Sequence, residues 1–153
     1  MSGLELRIPP PLVMIVVGAA MWLLSIYAPT LAVAVPWRGA IASVLLAAGG
    51  ASAIAGAAAF RRFGTTVHPM HPEGTTALVT TGIYRFTRNP MYVGLLLALT
   101  AWAAWLSNVL AFLLLPVFVA YISRFQIVPE ERALAASFGE EFAEYCRRVR
   151  RWV

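Results

Sequence analysis

The chain has 153 residues, of which 60% are hydrophobic and only 12% charged, and its mean hydropathy is +0.74. A soluble domain carries about 25% charged residues, so an ordinary soluble fold is excluded. The net charge of +5 comes from twelve Arg, with no Lys and no Asp, and the pI is near 10.1. In a soluble protein that would suggest nucleic acid, but here the arginines flank apolar blocks and follow the positive-inside pattern.

Residues 8–37, 39–60 and 89–123 contain no charged side chain. A helix needs about 20 apolar residues to cross a bilayer, so these blocks read as membrane segments. The first span is expected over 11–34, longer than a signal peptide's h-region of roughly 7–15 residues. Pro36, Trp37 and Arg38 form a short turn, with Trp37 suited to an interfacial aromatic belt. The second span, 39–60, is dominated by small residues. Gly49 and Ala53, and Ser52 and Gly56, lie four apart, a spacing that lets helix backbones approach closely in lipid.

Arg61 and Arg62 end that span, and residues 63–83 are polar and rich in Gly, Pro and Thr. Such a segment is too irregular for lipid-exposed hydrocarbon and is expected as a loop. His68 and His71 are separated by prolines that prevent a helical metal pair, so no metal site is expected. Cys146 is the sole cysteine, which rules out an internal disulfide framework.

Ser107 and Asn108 divide block 89–123 into two apolar segments, the pattern of a tight helical hairpin whose ends return to one side. In the tail, Pro129 suits a first helical turn. Leu134, Phe138, Phe142, Tyr145 and Val149 then recur at helical spacing, with Glu130 and Glu131 at the start and Arg147, Arg148, Arg150 and Arg151 at the end. An amphipathic helix resting on the membrane surface is expected, with Trp152 at the interface. The fold class is therefore all-α and polytopic, a single domain of about four crossings plus a tail helix. An N-terminus in the cytoplasm places eleven arginines there and only Arg38 outside. The composition, rich in Ala and using Arg alone, hints at a GC-rich bacterial genome, and an inner-membrane protein with both termini in the cytoplasm is expected.

The stretch GIYRFTRNPMYVG (82–94) places Arg85 and Arg88 at the mouth of the hairpin. They read as topology anchors, as holders of an anionic lipid, or as part of an active site. Arg88 and Tyr92 are four apart across Pro90 and face the same way, and Glu130 and Glu131 emerge from the hairpin's other arm. Taken alone, the glutamates also read as a solvated helix cap, and no phosphate loop or nucleophile elbow is present.

Residues 78–94, LVTTGIYRFTRNPMYVG, resemble the signature of the isoprenylcysteine carboxyl methyltransferase and phospholipid N-methyltransferase superfamily. The tail EERALAASFGEEFAEYCRRVRRW (130–152) resembles the second block of that superfamily, and the two together cover about half the chain. Ile83 stands where the pattern has Pro, and Asn89 where it more often has His.

The resemblance implies S-adenosylmethionine-dependent methyl transfer at the cytoplasmic membrane face to a lipophilic acceptor from the bilayer, most like carboxyl O-methylation of isoprenylcysteine. Phosphoethanolamine nitrogen and a thiol are the alternative acceptors. The implied catalytic residues are Arg88, Tyr92 and Glu131. The implied cofactor-binding residues are His68, His71, Leu78, Gly82, Tyr84, Asn89, Pro90, Tyr92, Gly94, Glu130 and Glu131. Aromatic faces suit a sulfonium cation. A non-catalytic membrane scaffold and a reductase of related architecture are the competing classes.

Overall fold

The computed structural model describes residues 5–62 and 77–153. These fold into five helices: α1 (Pro10–Tyr27), α2 (Arg38–Arg62), α3 (Pro90–Leu106), α4 (Val109–Ile122) and α5 (Val128–Arg148). No strand occurs among the described residues, only an isolated bridge between Ala32 and Asn108.

Proline sets both ends of α1. Pro10 occupies the first turn, where its missing N–H costs nothing, and Pro29 stops the helix after Tyr27. The expected span of 11–34 is therefore cut short, and residues 29–31 form a 3-10 turn instead. Three helical runs are long and apolar enough to cross a membrane: α1, α2 and the continuous Val109–Arg148 run, while α3 is a shorter apolar helix of 17 residues. Ile15, Val16, Val44, Ile54 and Leu113 are all more than half exposed. On a soluble protein such surface would be a liability, and here it is the face offered to lipid.

The small residues of α2 do what their spacing predicts, against α3. A Cβ on Gly49 would stand 2.8 Å from the Gly94 carbonyl oxygen, and one on Gly94 would stand 2.6 Å from that of Gly49. Backbone therefore touches backbone, and Ser52 Oγ donates to the Pro90 carbonyl at 2.7 Å. The second core joins α1, α3 and α4 through Val13, Met21, Tyr92, Leu99, Phe118 and Ile122.

The hairpin turn falls at Ser107–Asn108, as the polar pair implies. Ser107 takes a left-handed conformation, φ 52° and ψ 46°, and Asn108 caps α4 by accepting from the Leu110 amide. Asn108 Nδ2 also donates to the Ala28 carbonyl at 2.9 Å, and the Val33 amide donates to the Ser107 carbonyl at 2.8 Å. The hairpin tip is thus tied to the end of α1.

The tail differs from expectation in three ways. First, α4 does not end before α5. A π-turn at Ser123–Ile127 joins them, so Pro129 sits inside a continuous helical run. Proline has no N–H for the carbonyl four residues back, and that carbonyl, Phe125, accepts from the Leu6 amide at 3.0 Å instead. The N-terminal arm is held there by Gln126 Nε2 donating to the Ile8 carbonyl, and by Glu5 pairing with Arg124 and Arg132. Second, the apolar face of α5 packs on the protein. Gly139, at φ 50° and ψ −121°, kinks the helix, and Phe142, Tyr145 and Val149 close over Leu134, Phe138 and Leu78. Third, Trp152 is held by the protein. It packs on the α1–α3–α4 core and donates from Nε1 to Ser123 Oγ at 3.1 Å.

Candidate active site

The mouth of the hairpin is built by a short run of local constraints. Gly82 adopts φ 62° and opens a 3-10 turn, Gly82–Arg85, that turns Tyr84 inward, leaving it 5% exposed. Thr87 Oγ1 accepts from the Asn89 amide, and Pro90 then starts α3. Two turns of chain, 82–85 and 86–89, therefore deliver Tyr84, Arg88 and Tyr92 to one place.

Arg88 is the hub. Its Nη2 donates to Glu131 Oε1 at 2.8 Å, and its Nη1 donates to the carbonyls of Cys146 and Val149, both at 3.2 Å. Its backbone amide donates to the Arg150 carbonyl, while Nε is buried with no partner among the described residues. Arg151 grips the same glutamate with two bonds, Nε to Oε1 at 3.1 Å and Nη2 to Oε2 at 2.5 Å. Asn89 Nδ2 donates to the Arg151 carbonyl at 2.9 Å, which fastens the last extended residues across the mouth. Tyr145 Oη donates to the Tyr84 carbonyl at 2.8 Å.

Glu130 lives in a different environment from its neighbour. It receives the hydroxyl of Tyr92 and makes no ion pair among the described residues, and it sits past the membrane arm in the first turn of α5. The residue as a whole is half-buried, and protein surrounds its carboxyl. Burial raises its pKa to about 8, opposed by the Tyr92 hydrogen bond and reinforced by the charge of Glu131. Burial likewise pushes the Tyr84 hydroxyl up, with the charges of Tyr145 and Glu130 adding to it. Two adjacent glutamates are thus set apart, one paired and one able to hold a proton near neutrality.

Arg88, Tyr92, Glu130 and Glu131 come together, with Tyr84 beside them. Among the described residues, no atom lies within 4 Å of a Cβ position at Gly82. The remaining expected residues are placed elsewhere. Leu78 packs in the tail cluster, Asn89 holds the Arg151 carbonyl, Pro90 is buried against α2, and Gly94 meets Gly49. His68 and His71 lie outside the described residues.

Sequence reasoning treated Arg151 as one of four dipole-complementing cations, and it missed Tyr145. Nothing in the charge pattern separates Arg151 from Arg150. Only its place at the end of the second resembling block marks it.

With this arrangement in place, residues 37–141 match the phospholipid methyltransferase family. The chain belongs to that family. It is a membrane methyltransferase of the phospholipid or isoprenylcysteine kind. A 63-residue uncharacterized protein from Haemophilus influenzae is 48% identical to it, over 41% of this chain and the whole of that protein. No solved structure matches. The matched residues include Tyr84, Arg88, Tyr92, Glu130 and Glu131, whereas Tyr145 and Arg151 lie beyond them.

Proposed function

We propose that this chain transfers the methyl group of S-adenosylmethionine to the amine of an ethanolamine phospholipid headgroup, at the arginine-rich end, which faces the cytoplasm. One observation carries the choice of nitrogen over oxygen. A carboxylate acceptor at Glu130 would draw on Arg88 to orient it, and both terminal nitrogens of Arg88 already serve Glu131 and two carbonyls, while the unpaired Arg85 points outward from the turn that sends Tyr84 inward. An ammonium acceptor needs a base, and Glu130, with no ion pair among the described residues, has a pKa of about 8 that suits that work.

The residues fit the cofactor's chemistry. S-adenosylmethionine, when bound, supplies an electrophilic methyl on a sulfonium. Tyr84 and Tyr92 provide aromatic walls beside Glu130, and Gly82 stands two residues before Tyr84 with space around it among the described residues. Glu130 takes a proton from the headgroup ammonium and frees the nitrogen lone pair for attack. Tyr92 holds the accepting oxygen in place through its hydroxyl. Arg88 and Arg151 fix Glu131, and with it the turn of α5 that carries Glu130.

A lipophilic acceptor also has a surface to lie on. An apolar groove of about 420 Å³ runs between α1 and α3, lined by Met14, Gly18, Trp22, Leu99 and Trp102. Leu99 is two turns along α3 from Tyr92, on the same face.

The test is transfer of labelled methyl by the purified full chain in mixed micelles containing either phosphatidylethanolamine or a prenylcysteine. Label is expected in the amine headgroup, and Glu130→Gln should slow transfer by about 10²–10⁴-fold. A base-labile methyl ester on the prenylcysteine, formed as fast by Glu130→Gln as by the wild type, would overturn the reading.

A further inference from the structure

Of the arginines at the mouth end, Arg88, Arg124, Arg132, Arg147, Arg148 and Arg151 each have a carboxylate partner. The side chains of Arg61, Arg62 and Arg85, like those of Arg7 and Arg150, have none among the described residues, and no ring or hydrogen-bond partner either. Arg61, Arg62 and Arg85 differ from the other two in flanking one joint of the fold. The ring of Phe60 meets that of Tyr84 edge to face, with centroids 5.4 Å apart, and the three arginines are the next one or two residues beyond those rings. All three are exposed.

Phe86 follows directly and is 75% exposed, a large apolar side chain with no protein to cover it. Its level in the fold is set by its neighbours. It lies four residues before α3 begins, and the start of α3 packs on the last turns of α2 through Pro90 and Gly56. An uncovered ring beside three unpaired cations, at the ends of two apolar helices, has the chemistry of the bilayer interface.

We propose that Arg61, Arg62, Arg85 and Phe86 form a binding site for an anionic phospholipid of the surrounding leaflet. The arginines hold the phosphodiester and the charged headgroup, and Phe86 sits among the upper methylenes of the acyl chains. The forked guanidinium matches phosphate oxygens in pairs. This site is separate from the Glu130–Tyr92 pair, since the 3-10 turn sends Tyr84 inward and Arg85 outward. It stands whether or not the chain methylates an amine.

The experiment is native mass spectrometry of the full chain released from nanodiscs of phosphatidylcholine doped with phosphatidylglycerol. The exchange constant between the two lipids is read across mole fractions. Wild type should retain phosphatidylglycerol selectively, and added salt should weaken that preference because the arginines are exposed. Each arginine changed to Gln should cost about fivefold, and Arg61→Gln/Arg62→Gln/Arg85→Gln together about a hundredfold.

The matched triple Arg147→Gln/Arg148→Gln/Arg150→Gln, with the same loss of charge, should leave the preference intact. Phe86→Ser should weaken retention of the lipid while leaving any binding of inorganic phosphate unchanged, which separates a lipid from a free anion. Equal losses in the two triples would show a general effect of charge and overturn the site. So would a wild-type preference that is absent or insensitive to salt, a result that needs no variant to fold.

Discussion

Glu130 and Glu131 are adjacent in sequence and opposite in behaviour, and the difference is testable at single residues. In the folded chain Glu130 keeps its proton up to about pH 8, whereas an unfolded carboxyl releases it near the ordinary value of 4.5. Between those values the native state binds more protons, so its stability falls as pH rises, and above about 8 the full cost of a buried carboxylate is present. Glu130→Gln keeps an acceptor for Tyr92 and removes the charge. Its melting temperature should lose most of the decline across that window and exceed the wild type's on the alkaline side, as thermal scans in detergent over pH would show. The same variant should lose the rise in kcat/KM that is expected of the wild type as pH approaches about 8.

Arg88 gives the opposite case. Its two terminal nitrogens serve one carboxylate and two carbonyls from 43 to 61 residues away, a geometry that the single ammonium of Lys cannot reproduce. Arg88→Lys should therefore destabilise the fold by about 1–3 kcal/mol. A melting temperature equal to wild type would return Arg88 to the role of a membrane anchor.

At the scale of elements, the contact between α2 and α3 is the tightest joint, because two glycines allow the backbones to meet. Gly49→Val or Gly94→Val must push the helices apart, and each should cost at least the 1–3 kcal/mol typical of overpacking. Gly50, next in sequence, has nothing within 4 Å of a Cβ position, so Gly50→Val is the control that should melt like wild type.

This joint was legible beforehand, since small residues four apart on an apolar helix have few other uses in lipid. So was the hairpin, from one polar pair inside a long apolar block. The join between α4 and α5 was not. Pro129 is a sound signal for a helix start, and nothing local reveals that Leu6, more than a hundred residues away, supplies the donor that lets the helix run through it. The kink at Gly139 was equally hidden, and with it the folding of the tail's apolar face onto Leu78.

For the whole molecule, the grouping of Arg88, Tyr92, Glu130 and Glu131 followed from topology alone: two arms of a hairpin return to one end. The linking of Arg151 and Tyr145 to that group depended on the tail's path, which periodicity does not encode. Orientation in the membrane can be measured directly. Cysteines at Trp37 and Ser137, both exposed, should react with impermeant reagents from opposite sides, Ser137 from the cytoplasm, in a background where Cys146 is replaced. Labelling of both from one side would require an odd number of crossings between the α1–α2 turn and the tail to be abandoned.

The unbroken passage from α4 through the π-turn into α5 has a mechanical consequence. Residues 109–138 form a rod about 45 Å long before the kink, so the arm sunk in lipid and the turn carrying Glu130 tilt as one lever. A helix in a thinner bilayer leans over to keep its apolar length covered. Any such lean swings the carboxyl relative to Tyr92, which rides on the separate shaft of α3, and membrane thickness becomes a dial on the alignment of the pair.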